Sequence, residues 1–309
     1  VDEFELIRRF FLRAGGASGV TVGVGDDGAV LVPEPGRELV AVVDTLVEGV
    51  HFPADIRPED LGYRAVAVNL SDIAAMGARP RWMTLALTIP RADEQWLSGF
   101  SAGLGQAAGE VALVGGDTTR GDEVVVSVQI IGDVAAGSAL LRSGACVGDT
   151  VFVTGTLGDA AAGLELIRRG RADTYLSGRY YRPVARVAFG QSLAGRASAA
   201  IDVSDGLAGD LGRLLAASGV GAELDIDRLP VSEALRAAFD GPARRRFALS
   251  GGDDYELVFT ARPEDVPASG DLRVTAIGQV VAGDALVCRE GGVVVPPADY
   301  GGGGYDHFR

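Results

Sequence analysis

The sequence predicts an α/β (α+β) protein built from two domains, residues 1–137 and 138–309. Three observations point there. Short apolar and β-branched runs alternate with amphipathic helical patterns along the chain. Hydrophobic residues fill 47% of the 309 positions, enough for two cores of ordinary size. A stretch rich in Gly, Ala and Ser, 135–149, interrupts the alternation and reads as a linker.

In order along the chain, Phe4, Ile7 and Phe11, with Leu6 and Phe10 beside them, recur at helical spacing and predict a helix ending near Gly15-Gly16. An acidic turn, Gly25-Asp26-Asp27-Gly28, follows between two short strands. Two carboxylates about 4 Å apart repel by roughly 4 kcal/mol at an effective dielectric near 20, so such a turn opens to water or holds a cation. Residues 38–43 read as a buried strand that delivers Asp44-Thr45 at its C-terminal end, where ligands collect in open α/β sheets. A loop carries His51-Phe52. Pro58-Glu59-Asp60 then opens a helix to Met76-Gly77, and Asn69 and Asp72 share one face of it. Residues 82–89 alternate as a strand, Asp93 starts a second helix, and a strand at 111–114 runs into a turn, Gly115-Gly116-Asp117-Thr118-Thr119-Arg120. A strand at 124–131 closes the first half.

The second half predicts a strand at 150–154, a helix from Gly158-Asp159 to Arg169, and a helix opened by Pro183 through Phe189 and Leu193. A short strand at 199–201 delivers Asp202-Val203-Ser204-Asp205-Gly206-Leu207, and the next helix ends at a Gly219 cap. A strand at 222–226 and a helix at 232–239 come next. Ser250-Gly251-Gly252-Asp253-Asp254-Tyr255-Glu256 precedes a strand at 257–260, and a strand at 274–281 leads to a hairpin turning at Glu290-Gly291-Gly292.

Composition removes several functions. A formal charge of −14 excludes a general nucleic-acid or anionic-membrane surface, which needs a basic stripe. All 28 basic residues are arginine, so a P-loop with its phosphate-binding lysine is excluded. No apolar run has the length of a membrane span and no cleavable leader opens the sequence, which predicts a cytoplasmic protein. Cys146 and Cys288 have no paired spacing; both read as buried spectators rather than a disulfide or a zinc site.

The chemistry-bearing residues are acidic: Asp26-Asp27, Asp44, Asp72 and Asp117, with Asp202 and Asp205 as possible additions. Three of these groups directly follow apolar β runs, a placement that favours a shared metal site. Oxygen donors without His or Cys favour Mg²⁺, Mn²⁺ or Ca²⁺ over zinc or iron. Arg120 and Arg142 are placed to grip phosphate in bidentate fashion, whereas most of the other arginines read as surface charges. His51 reads equally as a substrate contact or a loop residue. Ser204 lacks the spacing of a nucleophile elbow.

Several of these motifs resemble those of the thiamine-monophosphate kinase family, in order along nearly the whole chain. They are Gly25-Asp26-Asp27, Asp44-Thr45-Leu46, His51-Phe52, Asn69-Leu70-Ser71-Asp72-Ile73-Ala74-Ala75-Met76-Gly77, Gly115-Gly116-Asp117-Thr118-Thr119-Arg120, Asp202-Val203-Ser204-Asp205-Gly206-Leu207, Ser250-Gly251-Gly252-Asp253-Asp254-Tyr255-Glu256-Leu257 and Tyr305-Asp306-His307-Phe308. The resemblance implies a two-domain fold like aminoimidazole ribonucleotide synthetase, a homodimer formed through the N-terminal sheets, and ATP bound near that interface. It implies transfer of the γ-phosphoryl group of ATP to thiamine monophosphate. Carried over by motif, Asp27, Asp44, Asp72, Asp117 and Asp202 hold Mg²⁺ ions, with Asp205 near a further ion. Gly116, Asp117, Arg142 and Ser204 contact ATP, and His51, Asp253 and Tyr305 face the thiamine phosphate.

The chain departs from the family pattern at three places. Val42 and Val43 replace hydroxyl residues, so a metal contact there must use backbone carbonyls; Asp253 stands where Glu is common; and glycines 301–304 loosen the approach to Tyr305. An aminoimidazole ribonucleotide synthetase-like enzyme and a catalytically silent nucleotide-binding dimer are the alternatives.

Overall fold

The computed structural model describes residues 5, 7–11, 18–171 and 173–301. They form two compact units: the first runs to Ile73 and resumes over Ala78–Gly137, and the second takes Ala74–Gly77 and the chain from Ser138 onward. Ile7–Phe11 of the predicted N-terminal helix is a π-helical turn. Among the described residues no helix is long and apolar enough to cross a membrane.

In the first unit, β1 (Val20–Val22) and β2 (Val30–Leu31) pair antiparallel around the acidic turn. Four longer strands make a sheet: β3 (Arg37–Val47), β4 (Arg79–Ile89), β5 (Ala112–Arg120) and β6 (Val125–Ala135), in the order β3-β6-β4-β5. Only β4 and β5 are parallel neighbours. Val126, Val128 and Ile130 of β6 and Met83, Leu85 and Leu87 of β4 are buried and make one face apolar. Helix α1 (Pro58–Ala75) follows β3, and α2 (Glu94–Ala108) starts at Asp93, whose carboxylate accepts from the amides of Gln95 and Trp96.

Two strand readings need correction. The strand expected to be buried at 38–43 is buried on one face only, at Val40, and does not stop before Asp44. It runs to Val47 on the sheet edge, with Leu39 52% and Val43 61% exposed. With a neighbour on one side only, its apolar residues are not evidence of burial on both faces. The Gly-Gly-Asp-Thr-Thr-Arg stretch is not a turn either. It is the second half of β5, in register with β4 from Thr84↔Gly115 to Ile89↔Arg120. A Cβ on Gly116 would sit 2.0 Å from the Leu85 carbonyl oxygen, so glycine is needed there for the strands to approach.

The second unit is built on seven strands, β7 (Thr150–Thr154), β8 (Ala199–Asp202), β9 (Gly221–Asp225), β10 (Leu257–Ala261), β11 (Val274–Val281), β12 (Leu286–Glu290) and β13 (Val293–Val295). Their order is β13-β12-β9-β11-β7-β10-β8. Its helices are α3 (Asp159–Arg168), α4 (Thr174–Tyr181), α5 (Val187–Leu193), α6 (Leu207–Ser218), α7 (Glu233–Ala238) and α8 (Gly241–Ser250). Val151, Val153, Ile201 and Val258 pack with Leu207, Leu211 and Leu214 of α6 in one core cluster. Phe152, Phe259, Phe189 and Leu193 pack in another.

Helices α4 and α8 escaped the sequence reading. Both announce themselves by an Asp cap: Asp173 accepts from Leu176 N and Asp240 from Ala243 N. Pro183 does not open a helix; α5 begins at Val187. The stretch 135–149 is not a free linker: Ala135 ends β6, the Leu141 carbonyl accepts from Ala200 N at 2.9 Å and the Arg142 carbonyl from Ser218 Oγ at 3.0 Å. Cys288 is buried as expected, but Cys146 is exposed. Most of the described arginines are exposed, as expected, but a minority are tied to buried acids. Arg37, Arg79 and Arg81 surround the fully buried Asp133, and Arg179 and Arg186 the fully buried Glu256.

Candidate active site

In the first unit the acidic pair divides its work. Asp26 Oδ1 accepts the Asp27 amide at 2.8 Å, which closes the turn and leaves the Asp27 carboxylate exposed. Asp44 lies within β3 opposite Val128, and Asp117 lies within β5 opposite Ala86. These are the two edge strands of the sheet, three inter-strand spacings apart, so strand geometry keeps their backbones roughly 14 Å from each other. Their side chains also leave opposite faces. Asp44 is in line with Val128, Leu85 and Gly116, and Asp117 with Ala86, Ser127 and Thr45. Asp72 is half-buried on α1. Three residues before it, Asn69 is fully buried; its Nδ2 donates to the Ala65 carbonyl, and its Oδ1 has no hydrogen-bond partner.

His51 is held in the turn after β3, with its Nδ1 accepting from Val47 N at 3.0 Å and its own amide donating to the Val47 carbonyl. The ring is therefore the tautomer protonated on Nε2. Of Val42 and Val43, alternation in an antiparallel ladder turns one carbonyl toward β6 and the other toward the open edge.

In the second unit two motifs some fifty positions apart in sequence are bound together through the backbone. Asp253 N donates to the Ser204 carbonyl and Tyr255 N to the Val203 carbonyl, each at 2.8 Å, and Val203 N donates to the Glu256 carbonyl at 2.8 Å. A Cβ on Gly252 would meet the Ser204 carbonyl oxygen at 2.5 Å. Asp202, Ser204, Asp205 and Asp253 thus share one end of the sheet, where β8 and β10 pair through Asp202↔Leu257. Asp202 is buried, whereas Ser204 and Asp205 are half-buried. The Arg142 side chain is exposed, and its backbone is anchored at Ser218.

The surroundings of this junction carry residues that the sequence reading missed. Asp253 and Tyr255 have φ of 70° and 52°, a left-handed conformation that non-glycine residues hold only when their neighbours enforce it. Asp254 supplies one anchor. Its carboxylate accepts from Gly158 N at 2.6 Å at the start of α3, and burial drives its pKa well above the usual carboxylate range. Glu256 supplies the other, accepting from Thr154 Oγ1 at 2.7 Å, Arg179 Nη2 at 2.8 Å and Arg186 Nε at 2.6 Å. Asp210 accepts from three loop amides, and burial pushes its carboxyl up to about 6 against the opposing backbone hydrogen bond from Asp205. The one sequence signal for these residues was excess acid inside otherwise apolar segments.

Among the described residues, no group of three or more His, Cys, Asp or Glu side chains is placed to hold one metal ion. The donor chemistry nevertheless fits a hard divalent cation: carboxylates and one buried, unpartnered amide oxygen, with no sulfur ligand. Tyr305 lies outside the described residues.

Comparison with known proteins places this arrangement in a family. The family described as AIR synthase related protein matches residues 25–134 through its N-terminal domain and residues 147–289 through its C-terminal domain. The thiamine-monophosphate kinase of Salmonella typhimurium is 48% identical over 99% of this chain and 98% of that protein. The chain belongs to the thiamine-monophosphate kinase family. A crystal structure of the family's member from Stenotrophomonas maltophilia matches with a TM-score of 0.87 at 43% identity, covering 96% of this chain and 98% of that one. AaThiL complexed with AMPPCP and TMP matches with a TM-score of 0.80 at 32% identity, over 99% of this chain and 96% of that one. The mixed α/β architecture in two parts is the family's fold.

Proposed function

We infer that this protein is a thiamine-monophosphate kinase, converting ATP and thiamine monophosphate to ADP and thiamine diphosphate, the last step of thiamine diphosphate formation. The observation that carries the reading is near-full-length identity of 48% to a curated kinase of that name. The backbone junction that holds Asp202, Ser204 and Asp205 against Asp253 supports it, since it joins the motif assigned to ATP and metal to one assigned to thiamine monophosphate.

We propose that transfer is direct and in line. Thiamine monophosphate is a phosphate monoester with a second pKa near 6, so its attacking oxygen is already anionic at neutral pH and needs no strong general base. The obstacle is repulsion between two anionic reactants. Bound Mg²⁺ supplies the countercharge. Asp27, Asp44, Asp72, Asp117 and Asp202 would hold the ions, with Asp205 near a further one and one carbonyl of Val42 or Val43 as an added donor. The edge-to-edge separation of Asp44 and Asp117 supports different ions for these two within one chain. Gly116, Asp117, Arg142 and Ser204 are assigned to ATP. His51, Asp253 and Tyr305 are assigned to thiamine monophosphate.

A homodimer through the N-terminal sheet belongs to the same proposal. Leu39 and Val43 leave one face of the edge strand β3 and are half or more exposed, an apolar stripe that a second copy would cover. Incubating the pure protein with ATP, MgCl₂ and thiamine monophosphate and separating the products by chromatography tests the reading. Thiamine diphosphate is expected only when metal is present. No product, or equal product without metal, defeats it.

A further inference from the structure

The segment Ser204-Asp205-Gly206 turns three successive amides toward one point, the kind of concavity that binds anions. That point is already filled. Asp210 Oδ2 accepts from Ser204 N at 3.0 Å, Asp205 N at 2.9 Å and Gly206 N at 3.1 Å. Asp210 is 1% exposed and lies in the first turn of α6, so its position is fixed by the helix and by the core packed around Leu207 and Leu211. Its second oxygen pairs with Arg213 Nη1, which also reaches Asp205 Oδ2 at 2.8 Å. Gly206, at φ 116°, could not carry a side chain, because a Cβ there would lie 2.8 Å from the Ser250 backbone.

We propose that Asp210 is a positioning residue. Its carboxylate occupies the amide concavity, fixes the segment bearing Ser204 and Asp205, and through Arg213 sets the direction of the Asp205 carboxylate. A consequence for specificity follows. Phosphate is kept off these three amides, so the segment meets ATP through its side chains rather than its backbone. The inference rests on the assignment of Ser204 and Asp205 to the ATP and metal ligands.

Hydrogen–deuterium exchange on the full chain, read on the peptide containing 204–206, tests it alongside turnover. Hydrogen bonds to a charged acceptor contribute about 1.5–3 kcal/mol. In Asp210→Ala the three amides should therefore exchange at least about tenfold faster, and kcat should fall by a similar factor. Asp210→Asn, whose amide oxygen still accepts, should keep most of the protection and of the turnover. Formate at tens of millimolar should restore part of the activity of Asp210→Ala and leave the parent unchanged, a rescue that a purely structural loss would not show. Unchanged exchange in Asp210→Ala overturns the proposal, as does equal loss in both variants with no formate rescue. Should Asp210→Ala not fold, Asp210→Asn decides: protection within about threefold of the parent supports the clamp, and a loss like that expected for alanine overturns it. Exchange is read without substrate, so a parent that makes no thiamine diphosphate defeats the kinase reading separately from the clamp.

Discussion

Asp26 and Asp27 are adjacent and chemically alike, yet only one of them is committed to the fold. Asp26 accepts the Asp27 amide and shapes the turn, while Asp27 faces solvent. Asp27→Asn is therefore expected to abolish turnover at ordinary Mg²⁺. Asp26→Asn keeps an oxygen that can accept the same amide and should cost about tenfold or less. Steady-state kinetics of the two variants check this, and the reverse ranking would mean that the roles are exchanged. Asp254 makes a pH prediction. Its folded pKa is raised, so the folded state holds the proton more tightly than the unfolded chain does. The stability this group contributes is full below its unfolded pKa, near 3.9, and is lost as pH rises from there through the folded value. Asp254→Asn keeps an acceptor for Gly158 N but does not ionise. The melting temperature of the variant relative to the parent should thus be more favourable at pH 8 than at pH 4; a difference independent of pH would contradict this.

Among the elements, β5 and the segment 252–256 show how the local geometry restricts side-chain choice. Gly116 sits against the Leu85 carbonyl, and Gly116→Ala forces β5 away from β4. Overpacking of this kind costs about 1–3 kcal/mol, to be read as a lowered denaturant midpoint, with weaker ATP binding by calorimetry because Asp117 moves with the strand. An unchanged midpoint would show that the strands can separate without penalty. The motifs themselves were legible in the sequence, because closely spaced Gly and Asp after apolar runs have few purely structural explanations. Their conformations were less so. Gly-Gly-Asp-Thr-Thr reads as a turn on glycine content, but two Thr and a parallel neighbour make it a strand. The edge position of β3 depends on sheet order, which no local pattern encodes. Excess acid marks the anchors Asp210, Asp254 and Glu256 in the sequence, but their roles do not show there, because the amides and arginines they serve are distant in sequence or carry no side-chain signature.

At the scale of the whole molecule, the two-part α/β architecture followed from alternating apolar runs and helices, whereas the supposed linker did not survive. The stretch 135–149 reads as a linker on composition, yet Ala135 ends β6 and Leu141 and Arg142 are tied by their backbones to β8 and α6. The proposed homodimer is testable through the stripe on β3. Leu39→Arg combined with Ala41→Arg places two charges on that face, and sedimentation should then give the mass of one chain where the parent gives that of two. A parent that sediments as one chain would remove the dimer from the account. The claim on which the rest depends is direct passage of the γ-phosphoryl group from ATP to thiamine monophosphate. Following label from γ-³²P-ATP in a single turnover tests it most directly. The account predicts label in thiamine diphosphate and none on the protein at any time; label trapped on the chain, or labelled inorganic phosphate without labelled thiamine diphosphate, would contradict it.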